Sequence, residues 1–134
     1  MDKVFKNYIK SFENLNKSNI HSLINLCSDD IIFIDPFNKI KGRKKLEKIL
    51  QTMFQKIQDP TFKVIYFISD SKQKIVKWRF SGSVFKKYVE FTGISEIQIK
   101  KGLVVKHEDF WDSGRNFYCN IPLIGNLFKK INQD

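Results

Sequence analysis

The sequence has few of the residues that mark disulfide-stabilised or metal-binding proteins. Its 134 residues include only two cysteines and two histidines. Cys27 and Cys119 lie far apart and lack the Cys-x-x-Cys or Cys/His spacing of a metal site, so we expect reduced thiols in the core. His21 and His107 fall in separate predicted elements, which argues against a shared metal ion. We therefore expect neither a metal nor a cofactor.

Long hydrophobic runs are also absent. The longest apolar stretches are far too short to span a bilayer, and Met1–Lys6 lacks the apolar core of a signal peptide. We therefore expect a cytoplasmic protein without stable membrane insertion. The length suits a single domain over residues 1–134, which would bury about two-thirds of its unfolded surface.

Arginine is scarce although the chain is basic. The net charge is +10, but 21 of the 24 basic residues are lysines, scattered over every segment. Lys, Ile, Asn and Phe have codons rich in A and T, so genomic base composition accounts for the lysines without an anionic partner. Arginine, which makes bidentate contacts to guanine and phosphate, occurs only at Arg43, Arg79 and Arg115. We expect no specific binding to nucleic acid.

The N-terminal half of the chain predicts three helices and one strand. Apolar residues recur at helical spacing between Val4 and Leu15, and again between Leu46 and Ile57. A short helix from Asn19 to Leu26 and an apolar strand over Asp30–Asp35 are expected between these two helices. Pro36 then ends the strand.

The C-terminal half predicts a meander of strands that begins after Asp59-Pro60. The expected strands are Phe62–Ser69, Lys74–Val84, Val89–Lys100 and Leu103–Asp112. Helices followed by strands indicate an α+β fold, with an antiparallel sheet and the helices on one of its faces. The space that the helices leave open on a curled sheet is the expected pocket.

The last predicted strand carries the most informative motif of the chain. Side chains alternate across a strand, so Val105, His107, Asp109 and Trp111 share one face. A histidine titrates near neutral pH, and a carboxylate beside it can hold one tautomer or exchange a proton with a ligand. This face predicts a pocket wall. The alternative is a His–Asp pair that only satisfies two buried polar groups.

Two segments resemble a known superfamily: Ser28–Asn38 followed by Gly42, and His107–Asp112. Together with the order of the elements, they are similar to NTF2-like (nuclear transport factor 2) proteins, and within these to SnoaL-like proteins, from about Val4 to the end of the second segment. The resemblance implies a cone, in which a curved antiparallel sheet wraps around three N-terminal helices and encloses an apolar cavity. The superfamily includes ketosteroid isomerases, polyketide cyclases, epoxide hydrolases and proteins without catalysis.

The resemblance also implies roles for individual residues. Asp35, which precedes a proline, stands where ketosteroid-isomerase-like members carry a general base, although aspartate in this position also commonly caps a turn. Tyr8 and Ser95 match the positions that bind the developing oxyanion, but Ser95 replaces an acid there. The inward-facing His107 and Asp109 resemble those of SnoaL-type cyclases, which act on an enolisable carbon.

In the cyclase-like arrangement Asp109 is the base, His107 the hydrogen-bond donor and Asp35 a carboxylate on the opposite rim. The expected function is binding of a small apolar molecule that carries a carbonyl group, with isomerase- or cyclase-type proton transfer at the adjacent carbon. The alternative is a non-catalytic ligand-binding or dimeric accessory module, in which the same three side chains only satisfy polar groups.

Aromatic residues and the C-terminal tail complete the sequence-based predictions. Phe37, Trp78 and Trp111 are expected to line the cavity and to favour a flat apolar ligand, with plain core packing as the alternative. Residues 113–134 form an apolar-rich tail that predicts a short amphipathic helix. We expect this tail to pack on the core or on the partner subunit of a homodimer.

Overall fold

The computed structural model describes residues 2–115, which form three helices and six strands. The helices are α1 (Lys3–Glu13), α2 (Ile20–Ile24) and α3 (Arg43–Lys56). The strands are β1 (Cys27–Ile34), β2 (Lys39–Lys41), β3 (Gln58–Ser69), β4 (Lys74–Val84), β5 (Lys87–Lys100) and β6 (Leu103–Phe110). Most of the predicted tail, residues 116–134, lies outside the described residues, and so does Cys119. Within residues 2–115, no helix has the length and apolar character needed to cross a membrane.

The six strands form one curved, unclosed sheet in the order β2-β1-β6-β5-β4-β3. The predicted α+β cone is confirmed, and β3 to β6 form the predicted antiparallel meander. The sheet is mixed, however, because β1 lies parallel to β6. A parallel pair requires a long crossover between its strands, and the crossover here contains β2, α3 and the first three strands of the meander.

The bounds of several strands differ from the sequence-based prediction: β1 is Cys27–Ile34, β5 begins at Lys87 instead of Val89, and β6 ends at Phe110 instead of Asp112. The differences at β2 and β3 are larger. The three-residue strand β2 was not predicted, because so short a segment shows no clear alternation. β3 begins at Gln58 instead of Phe62, so Pro60 lies inside a strand and does not precede it. Proline is tolerated there because β3 is an edge strand whose register shifts between Gln58 and Thr61.

The apolar stripes of the helices pack against one face of the sheet, as predicted. The buried residues of these stripes are Phe5, Tyr8 and Ile9 on α1, and Leu46, Ile49, Leu50 and Met53 on α3. On the sheet, alternate residues of β4 are buried, including Val76, Trp78 and Phe80. Each large apolar side chain buried in this way contributes roughly 1.5–3 kcal/mol to folding. Cys27 is a buried free thiol, as expected.

A β-bulge in β6 corrects the predicted inward face of that strand. Val104 pairs with Ile99 and Lys106 pairs with Gln98, so Val105 is an extra residue without a partner on β5. Val104 is therefore completely buried, whereas Val105, which strict alternation placed inward, is only half-buried. Beyond the bulge the predicted alternation holds, and His107 is buried.

Candidate functional site

A cavity lies between the helices and the sheet. Its lining residues come from α1, from β1 and the segment after it, from α3 and its C-terminal end, from strands β3 to β6 and from Trp111 just after β6. Its volume is about 100 Å³, which is room for several water molecules, each of which needs roughly 10–15 Å³. The wall is mainly aliphatic and aromatic, so the few polar groups in it stand out.

All of the site residues predicted from the sequence line this one cavity. They are Tyr8, Asp35, Phe37, Trp78, Ser95, His107, Asp109 and Trp111. The structure therefore brings together side chains that are separated by up to 103 positions in the sequence. Convergence establishes their location, and their chemical roles depend on the contacts that they make.

His107 uses both of its ring nitrogens within the protein. Nδ1 lies 2.7 Å from the hydroxyl oxygen of Tyr8, and Nε2 lies 2.6 Å from Oδ1 of Asp109. Because a carboxylate oxygen accepts, Nε2 carries a proton, and when the ring is neutral Nδ1 accepts from Tyr8. Burial raises the pKa of Tyr8 well above its usual range, so its hydroxyl keeps the proton that it donates. Both ring nitrogens of His107 are therefore engaged by side chains of the protein itself.

Ser95 and Trp78 hold the same carboxylate from the other side. The Ser95 hydroxyl donates to Oδ1 of Asp109, and the indole N–H of Trp78 donates to Ser95 Oγ over 2.8 Å. The ring of Trp78 lies directly against Gly93, where an added Cβ would be 2.5 Å from two ring carbons. Every donor in this network therefore points towards Asp109.

The two carboxylate oxygens of Asp109 consequently differ in their hydrogen bonding. Oδ1 accepts from both His107 and Ser95, whereas Oδ2 makes no hydrogen bond to any residue in the described part of the chain. The side chain is 16% exposed and lines the cavity. A carboxylate that is fixed by one oxygen and open at the other can accept a proton or a hydrogen bond from a ligand.

Asp35 caps a turn, which was one of the two alternatives for it in the sequence analysis, and it also lines the cavity. Its Oδ1 accepts from the backbone N–H groups of Phe37 and Asn38, at 2.8 and 2.7 Å. The Asn38 side-chain amide donates to both carboxylate oxygens. Burial, aided by the nearby charge of Asp109, raises the pKa of Asp35 to about 6. Asp35 therefore changes charge near neutral pH.

Aromatic rings surround the two acids. The imidazole of His107 is enclosed by the rings of Phe33, Phe12 and Tyr8, with centroids at 4.9, 5.4 and 5.7 Å. The ring of Trp111 is stacked on another ring of the lining, with centroids 4.6 Å apart. The low polarity of such a wall strengthens electrostatic interactions inside the cavity.

Sequence reasoning missed two residues that shape the site. Asn38 is 2% exposed and orients Asp35, but a turn asparagine gives no sign of this contact in the sequence. Phe91 is the ring that stacks on Trp111. Its alternation with Gly93 and Ser95 on β5 places it on the inward face, and this signal was available in the sequence.

The described residues contain no cluster of three or more His, Cys, Asp or Glu side chains arranged to hold a metal ion. His21 lies far from the cavity on α2, where its Nδ1 is 3.8 Å from a carboxylate oxygen of Glu47 on α3. The two histidines therefore serve different parts of the fold, as their separation in sequence predicted.

Comparison with known proteins identifies the family. The sequence profile of the SnoaL-like domain matches residues 8–107. The chain belongs to the SnoaL-like domain family. The matched segment begins at Tyr8 and ends at His107, so Asp109 and Trp111 lie just beyond it. No curated protein matches the chain.

Several solved structures share the fold of this chain. A Burkholderia thailandensis NTF2-like protein is 13% identical with a TM-score of 0.75, covering 83% of this chain and 89% of that chain. A Catenulispora acidiphila protein with a ketosteroid isomerase-like fold, solved with trimethylamine, is 9% identical with a TM-score of 0.71, covering 82% and 85%. A Mycobacterium tuberculosis LEH-like epoxide hydrolase is 13% identical with a TM-score of 0.71, covering 93% and 90%. At such identities the likeness establishes the fold alone.

Proposed function

We propose that this SnoaL-like domain binds a small, largely apolar carbonyl compound in its cavity and moves a proton at the carbon next to the carbonyl group. The observation that carries the proposal is the asymmetric Asp109 carboxylate, held at Oδ1 by His107 and Ser95 with Oδ2 open in an apolar cavity. A base fixed in this way needs little reorganisation when it meets the substrate.

In the proposed reaction, Oδ2 of Asp109 removes the proton from the carbon atom and the electron pair of the C–H bond forms an enolate. His107 and Ser95 keep the carboxylate oriented through Oδ1, and Tyr8 keeps His107 in the tautomer that donates to it. These residues act through Asp109 and do not touch the substrate. Return of the proton to the same or a neighbouring carbon completes an exchange or an isomerisation.

The oxygen of the enolate needs a hydrogen-bond donor. In its protonated form Asp35 supplies one, and its pKa of about 6 keeps part of the population protonated near neutral pH. The two carboxyl groups of the cavity then have complementary roles, with Asp109 as the base and Asp35 as the acid.

The experiment is proton–deuterium exchange next to a carbonyl group, followed by NMR in D2O with small cyclic ketones such as cyclohexanone. Isomerisation of 3-cyclohexen-1-one, followed by absorbance, tests the second half of the reaction. The parent protein should accelerate both over buffer, and Asp109→Asn should lose about 100-fold or more of this acceleration. The matched control is Asp30→Asn, which removes the same charge from an exposed position of β1. Equal rates for Asp109→Asn and the parent would refute the proposal.

The alternative, a non-catalytic ligand-binding or dimeric module, has an observation of its own. Four consecutive large apolar residues on the edge strand β3 are exposed by 41–55%, namely Ile65, Tyr66, Phe67 and Ile68. Such a run favours association with a second copy. Sedimentation of the parent and of Ile68→Lys tests this, because a dimer formed through β3 should dissociate in the variant. A ketone that binds without accelerated exchange would favour the alternative.

A further inference from the structure

The charge of the cavity is opposite to that of the protein. The chain carries 24 lysine and arginine residues and a net charge of +10. None of the described residues that line the cavity is a lysine or an arginine, whereas Asp35 and Asp109 both line it. In a protein rich in lysine, the described lining of this cavity thus contains two acidic side chains and, apart from His107, no basic one.

The hydrogen-bonding capacity of the cavity is also one-sided. Five side chains of its described lining have an N–H or O–H donor, and the four of Tyr8, Trp78, Ser95 and His107 are engaged in the network that ends at Asp109. The fifth donor is the indole of Trp111. In contrast, Oδ2 of Asp109 is an acceptor without a partner among residues 2–115. The complementary ligand therefore brings its own donors or a positive charge.

The apolar part of the wall is suited to a cation as well. Trp111 lies two residues after Asp109, Phe37 lies two residues after Asp35, and the two rings meet edge to face with centroids 5.5 Å apart. Phe91 completes this aromatic corner. Aromatic faces attract ammonium groups, most strongly at tryptophan and where water is excluded.

We propose that the cavity binds a small organic cation, a ligand whose ammonium group lies between the Asp35 and Asp109 carboxylates and whose carbon groups contact the aromatic corner. The proposal rests on the ligand-binding part of the proposed function and names the chemical class of the ligand. A positively charged nitrogen in the ligand also stabilises negative charge that develops on a neighbouring carbon, which reduces the need for a donor from the protein.

Asp35 has two proposed roles, as a hydrogen-bond donor and as a counter-ion, and the pH determines which of them it can fill. The titratable groups that line the cavity with Asp35 are Tyr8 on α1 and His107 and Asp109 on β6, while the described lining residues of α3, β3, β4 and β5 contribute none. Below about pH 6 Asp35 is protonated and donates to a neutral carbonyl compound. Above that pH it is ionised and becomes a counter-ion for an ammonium group.

Three probes of nearly equal shape test the proposal: choline, its neutral isostere 3,3-dimethylbutan-1-ol and the anion 3,3-dimethylbutanoate. Binding to the full chain is followed at pH 7.5 by tryptophan fluorescence, since both tryptophans of the sequence line the cavity, and by NMR line broadening of the probe. Choline should bind about tenfold or more tightly than the alcohol. The anion should bind most weakly.

Variants assign the preference to the two carboxylates. Asp35→Asn and Asp109→Asn should each reduce the ratio of choline to alcohol affinity, whereas Asp30→Asn, outside the cavity, should leave it unchanged. Choline keeps its charge at every pH, so its affinity for the parent should rise between pH 5 and pH 7.5 and stay nearly constant for Asp35→Asn. Thermal unfolding of each variant confirms that it is folded.

An alcohol that binds as tightly as choline, or a preference that survives when both carboxylates are replaced, would overturn the proposal. This outcome is distinct from failure of the acid–base function. Ketone exchange without a preference for choline overturns the cation proposal alone. A preference for choline without ketone exchange supports the cation proposal and refutes the proposed catalysis.

Discussion

Replacement of Asp35 by asparagine should stabilise the protein above pH 6 and leave its stability nearly unchanged below pH 4. Burial and the charge of Asp109 raise the pKa of Asp35 to about 6, against about 3.9 in an unfolded chain. A carboxyl group with a raised pKa in the folded state favours folding in its protonated form. This contribution is present below about pH 4 and is lost as the pH rises towards 6. The shift of roughly two units corresponds to about 3 kcal/mol of unfolding free energy.

Asparagine is a suitable replacement because its side-chain oxygen can still accept from the backbone N–H groups of Phe37 and Asn38, which now donate to Oδ1 of Asp35. The turn is therefore retained while the buried charge is removed. Urea unfolding of the variant and the parent, followed by tryptophan fluorescence at pH 4, 5, 6 and 7.5, measures the difference. It should grow from near zero at pH 4, through about half its final value near pH 5, to about 3 kcal/mol.

The control is again Asp30→Asn, whose exposed side chain should give a small difference that does not grow with pH. A difference for Asp35→Asn that is the same at every pH would show that the charge of Asp35 is not destabilising in the fold. A variant less stable than the parent at pH 7.5 would refute the reasoning more directly.

Two further predictions concern the geometry of the sheet. Val104→Ala should cost about 2 kcal/mol of unfolding free energy and Val105→Ala less than about 1 kcal/mol, because the bulge buries the first and not the second; urea unfolding that gives equal costs would contradict the bulge. Gly93→Ala should cost about 1–3 kcal/mol and shift the tryptophan emission, because the added methyl group displaces the ring of Trp78. Unchanged stability and emission would contradict the close approach.

The helices and the meander were predictable because their signals are local. The apolar spacing of α1 and α3 repeats over several turns, and the strands of the meander are separated by short turns that leave little choice of partner. The parallel pairing of β1 with β6 is different, because residues 35–102, about half of the chain, separate these strands. The position of the bulge at Val105 depends on the register between β6 and β5, and this register cannot be predicted from the sequence of either strand alone.

The site residues were predictable to the extent that strand alternation and a family resemblance place side chains on a face. Alternation put His107, Asp109 and Trp111 on one wall, and the resemblance added Asp35 and a residue of α1. Contacts between those side chains were not predictable. The residue of α1 is Tyr8, whose hydroxyl forms a hydrogen bond with His107, 99 positions away in the sequence. The distance between the two side chains depends on how α1 packs on the sheet.

Such contacts decide the chemistry, as His107 illustrates. Its position on the strand is compatible with a donor aimed at a ligand, but both of its nitrogens are engaged by Tyr8 and Asp109. In the proposed function the histidine therefore orients the base, and donation to the ligand comes from Asp35, whose proton is available only near or below its pKa of about 6. A neutral carbonyl compound should thus be turned over best below neutral pH and an organic cation bound best above it. The pH at which turnover of the carbonyl compound is highest, and the pH at which the cation binds most tightly, therefore test whether Asp35 alone controls both processes.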